Sequence, residues 1–213
     1  MDADIFLYKL KTILTYLDLA QRMSEIEGYL LDIHAYTLMI LANEGPGSGV
    51  IVEIGSFMGK STTCLALGSK SAHREPVYAV DHFTGSPEHQ KGAPCESADL
   101  VEHGTTYHRF QENIEKAGIA DYVRPIRAAS ADAVQGWNQP IRLLFIDGDH
   151  SYEASKLDFE CWSPHVVPGG VIAFHDIGHF EGVTRFYNEM LRDSASYREV
   201  VQVTGIAVVE KLA

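Results

Sequence analysis

The sequence has few cysteines and no long apolar run. Three cysteines occur in 213 residues, at Cys64, Cys95 and Cys161, and none of them forms a CxxC pair. Three thiols cannot all pair within one chain, so this usage favours a reduced, cytoplasmic protein. No apolar stretch reaches the roughly 18–20 residues that span a bilayer, and the acidic N-terminus lacks the layout of a signal peptide. We therefore expect no membrane partner.

Basic residues are also scarce. Lys and Arg number 17 against 29 Asp and Glu, which gives a formal net charge of −12. Such a surface repels nucleic-acid phosphates, and no basic cluster offsets the repulsion. We therefore expect no nucleic-acid partner and instead a small-molecule partner. The length fits one α/β domain with at most an appendage.

Short apolar runs alternate with helical segments from residue 50 onward. The strand-like runs are GVIVEIG, PVYAVDHF, YVRPIRAAS, IRLLFIDGD and VIAFHD, and SPHVVPGG before the last of them predicts a turn. This alternation predicts an α/β fold with a doubly wound, mostly parallel sheet and right-handed crossovers. The closing segment REVVQVTGIAVVEK predicts a hairpin that adds an antiparallel strand at one edge. Seven strands are expected in total.

Two segments lie outside this alternation. Residues 1–42 show two helical patterns, and a breaker cluster at 43–49 separates this predicted N-terminal extension from a domain over 43–213. The apolar faces of these helices have no evident place in the core, so they offer a surface for a homo-oligomer. Residues 84–104 are polar and turn-rich, and a loop of this length predicts a lid over the site.

The segment VEIGSFMGKST, residues 52–62, is similar to the phosphate-binding loop of an NTPase. That loop needs four residues between its first glycine and its Gly-Lys-Ser/Thr, whereas three separate Gly55 from Gly59. Glu53 beside the turn would repel a polyphosphate and attract a cation. S-adenosylmethionine (SAM) carries an ammonium and a sulfonium, and the following helix N-terminus can take its carboxylate. Lys60 would assist with that carboxylate or remain solvated.

The next strand supplies a second indication of a nucleoside ligand. VYAVDHF ends in Asp81, 26 positions after Gly55. In nucleotide-binding α/β folds, an acid about 20 positions past the glycine loop binds the ribose hydroxyls. A P-loop enzyme has no need of an acid at that position. The alternative is that Asp81 is a helix cap or a surface acid.

Four segments together resemble the successive motifs of class I SAM-dependent methyltransferases, over about residues 50–180. They are VEIGSFMGKST, YAVDHF, LLFIDGDHSYE and VVPGGVIAFHDIG. More narrowly, they resemble the small group similar to macrocin O-methyltransferase and the cephalosporin-biosynthesis methyltransferases. The resemblance implies a Rossmann-like fold and methyl transfer from SAM to a small-molecule acceptor. O-methylation is the expected reaction, and N-methylation stays open.

The resemblance also assigns cofactor-binding candidates. They are Glu53, Gly55, Ser56, Gly59, Ser61, Asp81, His82, Ser130 and Asp147. Glu53, Gly55 and Ser56 would lie along the methionine part of SAM, and Asp81 would hold the ribose. In AASADA, Ser130 keeps the hydroxyl of the family's Gly-Asp-Ser segment beside the adenine, whereas Ala129 replaces the acid.

An acidic cluster is expected where two strands end. Asp147 ends one strand, and Asp176 ends another with His175 beside it. If these strands are neighbours they lie ~4.8 Å apart, and two close carboxylates repel unless a proton or cation lies between them. Oxygen ligands suit Mg²⁺, whereas a histidine favours Zn²⁺ or Mn²⁺, so Asp147, His175 and Asp176 are the metal candidates. Without a metal, Asp147 would bind the SAM ammonium and Asp176 would cap the following helix.

His150, Asp147 and Asp176 are the catalytic candidates. The neutral imidazole of His150 can accept a proton near pH 7, and His82 and His175 are rivals for that role. The resemblance implies that a divalent metal on the two aspartates would orient the acceptor hydroxyl and ease its deprotonation. Two other functions stay open, namely a P-loop kinase and a non-catalytic module that binds SAM or another metabolite.

Overall fold

The computed structural model describes residues 3–193 and 195–212, so residues 1 and 2 of the predicted extension lie outside the described part. The helices are α1 (Ala3–Ser24), α2 (Asp32–Glu44), α3 (Lys60–Ser71), α4 (Ala98–His103), α5 (Tyr107–Lys116), α6 (Ser130–Ala133), α7 (Tyr152–Trp162) and α8 (Glu181–Asp193). The strands are β1 (Val50–Ile54), β2 (Val77–Asp81), β3 (Val123–Arg127), β4 (Ile141–Ile146), β5 (Val166–Ile177), β6 (Tyr197–Val203) and β7 (Gly205–Lys211). Single 3₁₀ turns occur at Pro87–His89, Ala120–Tyr122 and Ser163–His165.

The strands form one seven-stranded sheet in the order β3-β2-β1-β4-β5-β7-β6. β1 to β5 pair in parallel, and β7 pairs antiparallel with both β5 and β6. The predicted doubly wound, mostly parallel sheet with a C-terminal hairpin is therefore confirmed. One detail differs from the prediction, because the antiparallel strand β7 lies one position in from the edge. Side chains of β7 are mostly buried and those of β6 mostly exposed, which explains why β6 takes the edge.

Strand β5 begins earlier than predicted. Its residues VVPGG were expected to form a turn, but the strand starts at Val166. The register against β4 shifts between Ile141, opposite Val166, and Leu143, opposite Val171. The Pro-Gly-Gly residues thus form an irregularity of the β-bulge type inside β5, and not a turn before the strand.

Helices cover both faces of the sheet, and a separate apolar cluster forms on each face. α2, α3 and α5 bury Leu38, Leu65 and Phe110 on one side. α7 and α8 bury Trp162 and Phe186 on the other side. β4 is buried along its whole length, as its continuous apolar run predicted.

Helix α2 ties the N-terminal extension to the sheet. Arg142 of β4 is fully buried, donates hydrogen bonds to the carbonyl oxygens of Leu41 and Ala42, and pairs with Glu75. The bond to Ala42 satisfies a carbonyl near the end of α2, and the bond to Leu41 adds to the one that this carbonyl accepts from the backbone N–H of Gly45. The same helix carries the buried side chain of His34 to the carboxyl end of β5.

Helix α1 packs on the domain through Leu19 and Met23 only in part. Six of its other large apolar side chains are exposed, and we call them the apolar face of α1: Leu7, Tyr8, Leu10, Ile13, Leu14 and Leu17. Neither α1 nor any other helix within the described residues is long and apolar enough to cross a membrane.

Candidate active site

A cavity of about 400 Å³ opens at the carboxyl ends of the parallel strands. Open α/β sheets bind their ligands in this crevice. The predicted site residues that line it are Gly55, Ser56, Ser61, Asp81, His82, Ser130, Asp147, His150, His175 and Asp176. The structure therefore brings most of the predicted residues together, whereas Glu53 and Gly59 stand apart from this lining set.

Glu53 lies behind the glycine turn and is fully buried. Its carboxylate accepts hydrogen bonds from the hydroxyl groups of Ser56, at 2.8 Å, and Thr62. Burial raises the pKa of Glu53 to about 7, although these hydroxyls favour the charged form. Glu53 was expected beside the methionine part of SAM, and in this structure it acts on the turn through Ser56 instead.

Asp81 connects β2 to the glycine turn. One of its carboxylate oxygens accepts the backbone N–H groups of Ser56, at 2.8 Å, and Phe57, at 2.7 Å. A P-loop would offer such N–H groups to a phosphate, whereas here a carboxylate already binds them. A Cβ at Gly55, whose φ is +86°, would overlap the carbonyl oxygen of Asp147. Only glycine therefore allows the turn after β1 to approach the backbone at the end of β4 this closely.

Two further residues of this turn hold the structure around it. Gly59 directly precedes α3 in the left-handed conformation, and a Cβ there would lie 3.1 Å from the ring of Phe110. The Lys60 ammonium donates to the carbonyl oxygen of Gly28 at 3.1 Å. Lys60 is thus half-buried rather than solvated, and it links the turn to the connection between α1 and α2.

The carboxylates of Asp147 and Asp176 meet at the ends of β4 and β5, with histidines between them. His175 Nδ1 lies 3.0 Å from Asp147 Oδ1 and 3.3 Å from Asp176 Oδ2. His150 Nε2 lies 2.9 Å from Asp176 Oδ2. Asp176 has a φ of +60° at an irregularity in the pairing of β5 with β7. A positive φ is unfavourable for residues other than glycine. The expected acidic cluster is formed, and imidazole rings neutralise it.

His34, which the sequence did not single out, fixes the orientation of His175. Its Nδ1 lies 2.9 Å from His175 Nε2, and its Nε2 bonds to the carbonyl oxygen of Thr204. A carbonyl only accepts, so His34 carries its hydrogen on Nε2 and accepts from His175 through Nδ1. Burial lowers the pKa of His34 and keeps it neutral. His175 therefore turns its Nδ1 toward the two carboxylates.

The charges in this cluster shift each other's pKa values. Burial opposes protonation of His175, but Asp147 and Asp176 raise its pKa to about 10. Burial likewise opposes protonation of His150, but Asp176, Asp147 and Glu88 raise its pKa. Burial opposes ionisation of Asp176, yet both histidines hold its pKa well below the usual range. The cluster is thus a set of mutually neutralising charges.

The segment 84–104 reaches the cluster through Glu88, a second residue that the sequence did not single out. Glu88 Oε1 lies 2.9 Å from His150 Nδ1. The neighbouring His89 stacks on Tyr29 and Phe57, with ring centroids 5.6 Å and 4.8 Å away. The segment contains a 3₁₀ turn and α4, so it is more ordered than the predicted loop. Its opening as a lid stays a prediction.

Three of the predicted residues lie close enough together that they could hold a metal ion. One ligand atom each from Asp147, His175 and Asp176 lies within 4.8 Å of the others. His34 accepts the Nε2–H of His175, which is how partners of a metal-bound histidine fix its orientation. The donor set therefore fits a divalent cation, provided that His175 Nδ1 loses its proton.

The sheet order and the position of the cavity define the class I SAM-dependent methyltransferase fold. A family model described as Methyltransferase domain matches residues 52–177. The chain therefore belongs to this methyltransferase family. This match confirms the resemblance to class I SAM-dependent methyltransferases and contradicts the P-loop kinase hypothesis.

Solved structures of low sequence identity share the fold. Cofactor-bound Rv0187 from MTB is 18% identical, with 99% of this chain and 96% of that chain covered and a TM-score of 0.64. The O-methyltransferase NovP is 17% identical, with coverages of 84% and 79% and a TM-score of 0.64. The O-methyltransferase from Bacillus cereus, in complex with SAH, is 20% identical, with coverages of 92% and 90% and a TM-score of 0.62.

A curated relative shares sequence over a smaller part of its own length. Uncharacterized protein y4gI from Sinorhizobium fredii is 32% identical over 146 residues, which is 66% of this chain. The chain spans 15% of the length of that relative. The shared region therefore corresponds to one portion of a much longer protein.

The buried carboxyl of Glu53 predicts a pH-dependent stability. Its folded pKa of about 7 lies above the ordinary value of 4.5, so the folded state favours the protonated acid. The contribution of Glu53 to the free energy of unfolding is fully present below the ordinary pKa of 4.5 and is lost as the pH rises through 7. The variant Glu53→Gln, which stays neutral, should stabilise the ligand-free protein by about 3 kcal/mol at pH 8 and have no such effect at pH 4.

Thermal unfolding at both pH values measures this difference. Glu102→Gln is the matched control, because the Glu102 side chain is 76% exposed, and its Tm should equal that of wild type at both pH values. A Glu53→Gln effect that is the same at pH 4 and pH 8 would contradict the assigned pKa.

Proposed function

We propose that this protein transfers the methyl group of SAM to a hydroxyl oxygen of a small molecule. The observation that carries the proposal is His150, held between Glu88 and Asp176 on the wall of the cavity. A histidine oriented by a carboxylate beside a nucleoside-sized cavity is the arrangement of a general base. The names of NovP and the Bacillus cereus protein support oxygen as the acceptor atom.

We expect the parts of SAM to lie along the cavity in the order of the strands. The adenine would lie beside the segment 128–131 after β3, and the ribose beside Asp81 at the end of β2. The methionine part would lie on the turn around Gly55, with its ammonium near Asp147. The lining carboxylates suit a ligand whose ammonium and sulfonium are both positive.

His150 would remove the acceptor proton. Both ring nitrogens lie 2.9 Å from a carboxylate oxygen, Nδ1 from Glu88 and Nε2 from Asp176. The acceptor hydroxyl would have to replace Asp176 beside Nε2 of the neutral ring, and the two carboxylates would then stabilise the imidazolium that forms. The ring stacks on Phe180, with centroids 4.2 Å apart. As the acceptor oxygen bonds to the methyl carbon, the carbon–sulfur bond breaks and its electron pair returns to sulfur. Positioning of the two reactants contributes ~7–11 kcal/mol of barrier reduction in such reactions.

A divalent cation is the second part of the proposal. Asp147, His175 through Nδ1 and Asp176 would hold the ion, which would supply Lewis acidity to the acceptor hydroxyl. A nitrogen ligand favours Mn²⁺ or Zn²⁺ over Mg²⁺. We further propose that the protein works in the cytoplasm, because its cysteines are all free thiols and Cys64 is buried.

The variant His150→Gln tests the proposed reaction. Calorimetry should show binding of S-adenosylhomocysteine, and mass spectrometry with a panel of catechols, sugars and phenols should detect methyl transfer by wild type. His150→Gln should lower kcat by about 10²- to 10⁴-fold, with the affinity for S-adenosylhomocysteine changed little. His73→Gln, at an exposed histidine, is the control.

Other outcomes separate the alternatives. Loss of kcat in His82→Gln instead of His150→Gln would assign the base to His82. Binding of S-adenosylhomocysteine without transfer to any acceptor in the panel would favour the non-catalytic module. Methylation of amines but not hydroxyls would contradict the oxygen acceptor.

The metal proposal has a test that does not depend on activity. After dialysis against EDTA, calorimetry should show tighter binding of Mn²⁺ than of Mg²⁺ to the wild type. In His175→Asp, whose ligands are all oxygen atoms, this preference should decrease at least tenfold. The absence of heat with every divalent cation, or a preference for Mg²⁺ in wild type, would contradict the proposed site.

The apolar face of α1 supports the proposal of a homo-oligomer. Leu7, Leu10, Leu14 and Leu17 follow the three-four spacing of a coiled-coil seam, and this spacing is symmetric about residue 12. The face can therefore pair antiparallel with its own copy in a two-fold dimer. Light scattering should show a dimer for wild type and for Leu212→Asp, and a monomer for the double variant Leu10→Asp/Leu14→Asp. A monomeric wild type would contradict this proposal.

A further inference from the structure

The proposed reaction leaves one buried carboxylate of the cavity without a function. Asp158 of α7 is 6% exposed and lines the cavity. It lies at the end where the adenine is expected, together with Ala129 and Ser130 after β3. The residues 128–131 after β3 that line the cavity include no acid, so they supply no carboxylate to the base.

Ser130 lies between Trp162 and Asp158. The indole Nε1–H of Trp162, which is fully buried, donates to the Ser130 hydroxyl oxygen at 2.9 Å. The Ser130 hydroxyl lowers the pKa of the Asp158 carboxyl, against the effect of burial, so the hydroxyl lies close to this carboxylate.

The second side of Asp158 faces the segment after β4. A Cβ at Gly148 would lie 2.9 Å from Asp158 Oδ2, so a residue without a side chain leaves room for this oxygen. Gly148 also lines the cavity. The carboxylate therefore lies between the segments after β3 and β4, which are the two that enclose the adenine end.

Asp158 is ionised at the pH of an ordinary assay. Burial raises its pKa to about 6, and the nearby Asp149 adds to that effect, whereas Ser130 opposes it. A carboxylate that is desolvated to this extent gains from a hydrogen-bond donor on the ligand. It is destabilised further by a ligand that presents another acceptor.

We propose that Asp158 accepts a hydrogen bond from the 6-amino group of adenine and makes the cavity selective for 6-aminopurine nucleosides. The inference rests on the proposed function and adds the residue that reads the base. A 6-oxopurine has an acceptor oxygen where adenine has its amino group. Sites built to bind a particular polar group reject analogues that leave their buried partner unpaired.

The test compares two ligands that differ at this one position of the purine. Calorimetry on the full chain at pH 7.5 would use S-adenosylhomocysteine and S-inosylhomocysteine. Wild type should bind the adenosyl compound at least about 30-fold more tightly. Asp158→Asn, whose amide can donate to the 6-oxo group, should reduce this ratio to about threefold or reverse it. Asp132→Asn, an exposed acid of α6, should keep the wild-type ratio.

A second variant covers the case in which Asp158→Asn does not fold. Ser130→Ala removes the hydroxyl beside the carboxylate and should lower the ratio severalfold. If Asp158→Asn folds and keeps the wild-type ratio of the two affinities, the proposal is overturned. If only Ser130→Ala can be measured, an unchanged ratio in that variant overturns it. Either result leaves the methyltransferase function standing. Failure of wild type to bind either nucleoside would overturn both.

Discussion

Two carboxylates on neighbouring parallel strands, Asp147 and Asp176, need positive charge between them, and much of the site follows from this need. His175 and His150 provide that charge at distances of 3.0 Å and 2.9 Å from the nearest carboxylate oxygens. His34 then orients His175 from the N-terminal extension, so the extension is part of the site rather than an attachment to it. The ends of β4 and β5 thus explain both how the site is built and the chemistry proposed for the site.

Carboxylates that burial makes unfavourable line the cavity or lie behind its glycine turn. Glu53 and Asp158 both have raised pKa values because they are desolvated. Asp81 satisfies the backbone N–H groups of the glycine turn, which makes the turn unattractive to a second anion. A ligand with two positive charges and an amino-substituted base relieves these costs, whereas a polyphosphate increases them. The electrostatics therefore support the ligand class that the family match indicates.

The sequence predicted the parts of the fold that local pattern determines. Hydrophobic periodicity predicted the alternation of strands and helices and the burial of β4. Turn geometry predicted the need for glycine at position 55. The position of β7 inside the sheet edge and the irregular start of β5 depend on which strand faces solvent. A local sequence pattern does not determine which strand faces solvent. His34 and Glu88 were missed because their partners are distant in sequence, as with the 141 positions between His34 and His175. Glu53 was assigned to the ligand because its position in the motif does not show which way the side chain points.

The most direct test of the account is a crystal structure of the protein with S-adenosylhomocysteine and Mn²⁺. The account predicts adenine between Ser130 and Asp158, ribose at Asp81, the amino acid part on the turn at Gly55, and the ion bound by Asp147, His175 and Asp176. The thioether sulfur should face the side of the cavity where His150 lies. A nucleoside bound outside this cavity, or bound with its adenine at the β5 end, would contradict the account.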